Sequence, residues 1–151
     1  MIAPMPSSKQ FSYEVDVSWA GGRSSTLTTE GRTEIISGPP ADFPLGDASR
    51  WSPEQLFLAS LASCTMISFL AHADHRGVEV RGYRARIDGT VMRRVEDGRY
   101  AFVHVHQRPE VIVAPGQGDG ARELIGKAER DCFISASTTA EIQNDWEIEE
   151  R

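Results

Sequence analysis

The chain has 151 residues, 40% of them hydrophobic and 25% charged, enough to enclose one core and too few for two ordinary domains, so a single domain over residues 1–151 is expected. Sixteen Lys and Arg against 22 Asp and Glu give a formal net charge of −6. That balance gains nothing from counterion release on a phosphate backbone and argues against nucleic acid as the main partner, while the ordinary apolar and aromatic content excludes general disorder.

Residues 1–10 carry Pro4, Pro6 and Lys9 but no apolar run of the length a secretory signal needs, and they are expected to be a flexible N-terminus. The longest uncharged stretch, Leu56 to Ala71, is shorter than a membrane span, so a soluble, cytoplasmic protein without membrane contact is expected. Cys64 and Cys132 are the only cysteines. In a reducing compartment a structural disulfide is not the expected use of such a pair.

From Phe11 to Trp19, apolar Phe11, Tyr13, Val15, Val17 and Trp19 alternate with polar residues, the period of a half-buried strand. Gly21-Gly22 then suits a hairpin turn into a second, Thr-rich extended stretch towards Ile35-Ile36, with Arg23 just after the turn. At Ser52-Pro53-Glu54-Gln55 a cap residue, a first-turn proline and a capping-box glutamine coincide, which predicts a helix start. The helix is apolar nearly all round, from Leu56 to Leu70, and Gly77 is its stop signal. Lacking a clear polar face, it must be wrapped by sheet or by another subunit, which predicts a homodimer with this helix central.

Two strands, Val78 to Val91 and Tyr100 to Val113, are predicted around a turn at Glu96-Asp97-Gly98. A short amphipathic helix over Ala121 to Asp131 follows, and Ala140 to Ile148 alternates as one last strand with an acidic wet face. Strands, a long helix, strands, a short helix and a strand, without regular alternation, make the class α+β.

Each residue with chemical potential also has a plain reading. Cys64 in mid-helix is ordinarily a small packed hydrophobe, far from the positive end of the dipole, and a reactive thiolate there needs a separate cation or donor. Arg23 is ordinarily a solvated residue beside a turn, Glu54 a first-turn acid favoured by the dipole, and Cys132 a core thiol of the second helix. His104 and His106 alternate on one strand and with a cysteine could hold a metal, although no histidine and cysteine spacing here matches a usual structural zinc pattern.

The stretch Ser52-Pro53-Glu54-Gln55-Leu56-Phe57-Leu58-Ala59-Ser60-Leu61-Ala62-Ser63-Cys64 resembles the signature of the OsmC and organic hydroperoxide resistance proteins. There a Pro-Glu-Glu/Gln-Leu start opens the central helix and the peroxidatic cysteine follows ten positions after the glutamate, as here. Gly21-Gly22-Arg23 sits where that family carries an arginine after a glycine turn, and Cys132 where it carries a resolving cysteine. The resemblance implies antiparallel sheets around a long buried helix in an intertwined homodimer, and a thiol-dependent hydroperoxide reductase without metal or organic cofactor. Cys64 would attack the peroxide and become a sulfenic acid, and Cys132 would condense with it to a disulfide. Arg23 would lower the Cys64 pKa and polarise the O–O bond, held by Glu54. A small dithiol or lipoyl-carrying protein would be the reductant, with organic hydroperoxides against hydrogen peroxide left open. Phe57, Leu61, Phe133 or Trp51 could form an apolar pocket favouring organic substrates.

Ten residues at about 1.5 Å rise separate Glu54 from Cys64 by roughly 15 Å along a straight helix. Either the helix breaks between them or Glu54 reaches the site from a second subunit. The alternative function is a thiol redox sensor or small-ligand-binding protein of the same fold that does not turn over.

Overall fold

A computed structural model describes residues 9–151; most of the predicted flexible N-terminus lies outside them. The chain divides into two compact units, one ending at Glu54 and one running from Gln55 to Arg151.

In the N-terminal unit, β1 (Asp16–Trp19), β2 (Ser25–Thr28) and β3 (Ile35–Ser37) form an antiparallel sheet in that order. The predicted hairpin is present. Gly21 and Gly22 take φ of 95° and 57°, the left-handed region open to glycine, and the Trp19 indole donates to the Gly22 carbonyl at 3.0 Å. The first strand is shorter than its alternation suggested. Its ladder runs only from Asp16, opposite Thr28, to Trp19, opposite Ser25, because β2 ends at Thr28 and offers residues 11–15 no partner strand. The half-buried expectation also fails. Val17, Leu27 and Ile35 stand side by side across the sheet, yet Val17 is 67% exposed and Trp19 80%. Every buried hydrophobic among the described residues lies between Leu61 and Cys132. This sheet therefore carries an apolar face with no core beneath it.

The C-terminal unit is built on α1 (Pro53–Arg76), whose first residues belong to the unit before. The Pro53 start and Gly77 stop are both observed. Gly77 has φ of 72°, its amide donates to the Asp74 carbonyl, and the Val78 amide donates to that of Ala73, the paired bonds of a Schellman ending. At 24 residues the helix is long and apolar enough, by length and composition, to cross a membrane. It packs instead by a single stripe, Leu61, Thr65, Phe69 and Ala73, spaced four apart on one face. Within the single chain the stripe is covered by sheet, whereas Ile67 on another face is 60% exposed.

That stripe faces a sheet of β4 (Val80–Arg93), β5 (Tyr100–Val113), β6 (Glu141–Asn144) and β7 (Glu147–Glu150), with β5 central. β4 and β5 form the expected long hairpin. Along β5, Val105, Gln107, Pro109, Val111 and Val113 are buried and their neighbours are not, the two-residue alternation of a strand with one covered face. Phe69 and Ala73 pack with Val111, Val113, Ala121, Leu124 and Ala128, flanked by Tyr83 and Trp146.

Two predicted elements are each divided. The helix over Ala121 to Asp131 is α2 (Gly118–Arg122) and α3 (Ile125–Arg130), followed by α4 (Phe133–Ala136). The last strand is β6 and β7, both parallel to β5 in one continuous register from His104–Glu141 to Val113–Glu150, which makes this sheet mixed where an antiparallel one was expected. The gap has a covalent cause. The Asp145 amide donates to the Gln107 carbonyl at 2.9 Å, and the next rung of a parallel ladder would come from the amide of residue 109, which is proline and has no N–H to give.

Candidate functional site

Cys64 sits on α1 beside the inward stripe, partly exposed, and Cys132 lies between α3 and α4, 1% exposed. Cys132 is the N-cap of α4: its backbone is extended, and its sulfur accepts the Ser135 amide at 3.5 Å, as a serine oxygen would at that position. Three contacts fix this segment against α1 and the sheet. The Ser68 hydroxyl donates to the Ala128 carbonyl at 2.9 Å, the His72 ring meets the Asp131 carboxylate at 2.8 Å, and the Trp146 indole donates to Glu129 at 2.8 Å.

The two thiols, 68 residues apart in the chain, are brought together and interact directly. Burial pushes the Cys64 thiol above its ordinary range, the Ile134 amide offsets part of this, and the neighbouring Cys132 raises it further. Burial alone would also raise Cys132. The Ser135 amide and the Thr65 hydroxyl reach its sulfur and, with Ser135 and Cys64 beside it, outweigh burial, so Cys132 is held below its ordinary value.

Behind Cys132 lies a polar relay that the sequence reading missed. The Thr65 hydroxyl is 3.7 Å from the Cys132 sulfur and 3.0 Å from the Leu61 carbonyl. The Gln107 amide nitrogen donates to the Thr65 oxygen at 3.2 Å and to Asn144 at 3.0 Å. Gln107 is 0% exposed, and its amide oxygen has no partner. A signal for it exists in the sequence: Gln107 occupies an apolar-face slot between Val105 and Pro109, and Thr65 falls at four-residue spacing between Leu61 and Phe69.

Arg23 lies exposed just beyond the Gly21-Gly22 turn, and Glu54 is the second residue of α1; both belong to the N-terminal unit, the cysteine pair to the other. Because α1 runs unbroken from Pro53 to Arg76, a helix break between Glu54 and Cys64 is excluded. One Glu54 carboxylate oxygen is buried without a partner. Of the residues suggested for an apolar pocket, Leu61 is fully buried, and Phe57 is partly buried and stacks on Phe102 with ring centroids 4.8 Å apart. Phe133 beside Cys132 is 59% exposed, and Trp51 belongs to the N-terminal unit.

His104 and His106 do share a face of β5, but it is the face opposite Gln107 and the cysteines. There His104 pairs with Glu141 at 3.3 Å, and His106 contacts Asp145 and Arg108 at 2.5 Å each. Among the described residues no three His, Cys, Asp or Glu side chains are grouped to hold a metal ion.

Comparison with known proteins agrees with this architecture. The uncharacterized protein YmaD of Bacillus subtilis is 24% identical over 135 residues, 87% of this chain and 89% of its own. An OsmC-like protein of unknown function from Vibrio cholerae superposes with a TM-score of 0.82 at 21% identity, over 91% of this chain and 99% of its own. An organic hydroperoxide resistance protein from Elizabethkingia anophelis does so with a TM-score of 0.69 at 18% identity, over 95% and 100%. These likenesses establish the α+β fold. The family model described as OsmC-like protein matches residues 46–147, a span that takes in α1, both cysteines and the sheet they rest on, and the chain therefore belongs to the OsmC-like family.

Proposed function

We propose that the protein is a thiol-dependent hydroperoxide reductase that works through a Cys64–Cys132 disulfide cycle. The observation that carries this reading is the direct contact of two thiols from distant parts of the chain, one partly accessible and one buried. Organic hydroperoxides are the proposed substrates, in keeping with the names of several structural relatives.

In this reading Cys64, ionised beside the Arg23 guanidinium, attacks one peroxide oxygen as its thiolate. The S–O bond forms as the O–O bond breaks, and the departing alkoxide takes the proton of the Cys132 thiol and leaves as the alcohol. Cys64 is now a sulfenic acid. The Cys132 thiolate attacks that sulfur, and hydroxide departs and is protonated to water. Two thiols supply the two electrons that reduce the peroxide. A dithiol or lipoyl-carrying protein then reduces the disulfide.

Arg23 and Glu54 complete the site in this proposal. A guanidinium is what the Cys64 thiol needs to overcome burial, and a carboxylate is its natural holder. With α1 unbroken, Glu54 cannot reach Cys64 of its own chain directly, so the composite site is formed in a homodimer. The uncovered apolar row of the N-terminal sheet and the uncovered flank of α1 support that assembly. The working compartment is the cytoplasm.

A sensor or ligand-binding role without turnover remains the second reading, and the raised Cys64 thiol is the observation that favours it. The test is a thiol titration of the reduced protein before and after one equivalent of cumene hydroperoxide. Rapid loss of two thiols per chain, abolished in Cys64→Ser, is expected; survival of both thiols would overturn the reductase reading. Repeated turnover with a dithiol then separates the enzyme from the sensor.

A further inference from the structure

We propose that His72 is a positioning residue which, through its bond to Asp131, holds the corner carrying Cys132 against α1 so that the two sulfurs can close a disulfide. This rests on the reading of Cys64 and Cys132 as a redox couple and adds to it a residue outside the thiol pair.

Four side chains of α1 form a line of contacts. Cys64, Ser68, His72 and Arg76 are spaced four apart and share one face of the helix, next to the stripe of Leu61, Thr65, Phe69 and Ala73. Each reaches the stretch from α2 to α4. Cys64 meets Cys132, the Ser68 hydroxyl donates to the Ala128 carbonyl at 2.9 Å, the His72 ring bonds Asp131 at 2.8 Å, and Arg76 pairs with Glu123 at 3.1 Å.

These links do not weigh alike. The Arg76–Glu123 pair is exposed and remote from Cys132, and surface ion pairs contribute little. The His72–Asp131 bond is partly buried, and Asp131 immediately precedes Cys132, so the bonded side chain hangs from a Cα about 3.8 Å from that of the cysteine. A carboxylate only accepts, so the His72 Nε2 carries the proton and donates it. The Arg130 guanidinium holds the same carboxylate at 2.8 and 3.0 Å. Arg130 orients Asp131 but, as its chain neighbour, ties nothing to α1; His72 supplies that tie.

The corner is where such a tie matters. α3 ends at Arg130, Cys132 is extended, and α4 starts at Phe133, so regular helix bonding is interrupted there and the Cys132 amide reaches the Glu129 carbonyl only at 3.5 Å. A disulfide needs its sulfurs about 2.05 Å apart and its Cα atoms about 4.4–6.8 Å apart. Misplacing a reacting group by about 1 Å can cost about a hundredfold in rate. His72 lies about 12 Å along the same unbroken helix from Cys64. Fixing Asp131 to it limits the positions that Cys132 takes relative to the other sulfur. Without the bond, peroxide attack on Cys64 is unaltered, whereas closure onto the sulfenic acid slows and the pair forms its disulfide less readily with any oxidant.

The test equilibrates the full reduced chain with mixtures of glutathione and glutathione disulfide. The two protein thiols give up two electrons and two protons, the protein S–S bond forms, and glutathione disulfide becomes two glutathione thiols; acid quenching, alkylation and mass measurement give the oxidised fraction. The equilibrium constant is the effective concentration of one protein thiol for the other. His72→Phe keeps a ring and removes the donor, and is expected to lower this constant about tenfold, the low end of what a hydrogen bond to a charged group is worth. His72→Gln, whose amide can donate to Asp131, is expected to restore most of it. Asp131→Ala should match His72→Phe, and the double variant should lose no more than either single one, since all three remove the same bond. Arg76→Gln, on the same line but remote from Cys132, should leave the constant unchanged. A His72→Phe constant equal to that of the parent, a His72→Gln constant as low as that of His72→Phe, or losses that add in the double variant would overturn the proposal. Should His72→Phe not fold, Asp131→Ala against His72→Gln makes the same comparison. No peroxide is used, so a failure here is separate from a failure of the thiol-loss experiment with cumene hydroperoxide.

Discussion

Phe69 decides how firmly α1 is seated on the sheet, and its truncation tests the packing on which the thiol contact depends. The side chain is fully buried, with its ring 5.1 Å from that of Trp146 and 6.1 Å from that of Tyr83. Phe69→Ala removes the ring and leaves a cavity under the stripe, a change that costs about 3–5 kcal/mol in well-packed cores. Two aromatic pairs worth about 0.5–1.5 kcal/mol each go with it, which places the cost in the upper part of that range. With a urea dependence of about 2 kcal/mol per molar, the unfolding midpoint is expected to fall by about 2 M. Tryptophan fluorescence is the natural probe, because Trp146 is beside the mutated ring, and both proteins are compared at one protomer concentration. Val95→Ala, at a 98% exposed position in the β4–β5 turn, is the control and should shift stability by less than about 0.5 kcal/mol. A Phe69→Ala midpoint within about 0.5 M of the parent, equivalent to about 1 kcal/mol, would refute the argument that this ring anchors the helix. Since Phe69 lies one turn from Thr65, the same variant is expected to close the Cys64–Cys132 disulfide more slowly.

The assembly prediction concerns the N-terminal sheet. Burying a large apolar side chain contributes about 1.5–3 kcal/mol, so Trp19→Ser should weaken a dimer that covers this face about tenfold to a hundredfold for each copy of the residue buried. Sedimentation equilibrium of parent and variant measures it, and a parent that is monomeric throughout the micromolar range would remove the composite-site proposal. A further prediction concerns acid. Bonds from Arg130 and then His72 lower the Asp131 carboxyl from 3.8 to about 2. A carboxyl that titrates lower in the folded chain than in the unfolded one stabilises the fold above the unfolded value, and that contribution is lost as pH falls through the folded value. The stability difference between parent and Asp131→Asn is therefore expected to be constant above about pH 5 and to shrink towards about pH 2. Urea midpoints at several pH values check this, and a difference that stays constant down to that point would contradict it.

Much of the architecture was legible because it rests on local rules. Pro53 and Gly77 bracket α1 because proline fits a first turn and glycine a left-handed stop, and neither requires a neighbour. The alternation in β5 and the glycine turns before Arg23 and at Gly98 are equally local. The predictions that failed in detail each depended on a partner elsewhere in the chain. β1 stops where β2 ends, and the last strand divides because Pro109, on the strand beside it, lacks one amide proton. The apolar circumference of α1 showed that it must be covered but not how much of the covering a single chain supplies.

The site divides in the same way. The spacing of Glu54 and Cys64, the glycine turn before Arg23 and the second cysteine were all present in the sequence, and with them the family. That spacing also required either a helix break or a second chain to bring Glu54 to Cys64, since the rise of a helix is fixed by its backbone. Only the tertiary structure decided that the helix is unbroken, that Cys64 meets Cys132, and that the buried sulfur is the better hydrogen-bonded of the two. What reaches the Cys132 sulfur is set by Thr65 on α1 and Ser135 on α4, with Gln107 on β5 holding Thr65, three positions brought together by packing. No local pattern encodes that meeting, because it is the burial of the stripe on α1 against one face of β5 that sets Thr65 between Gln107 and the sulfur of Cys132.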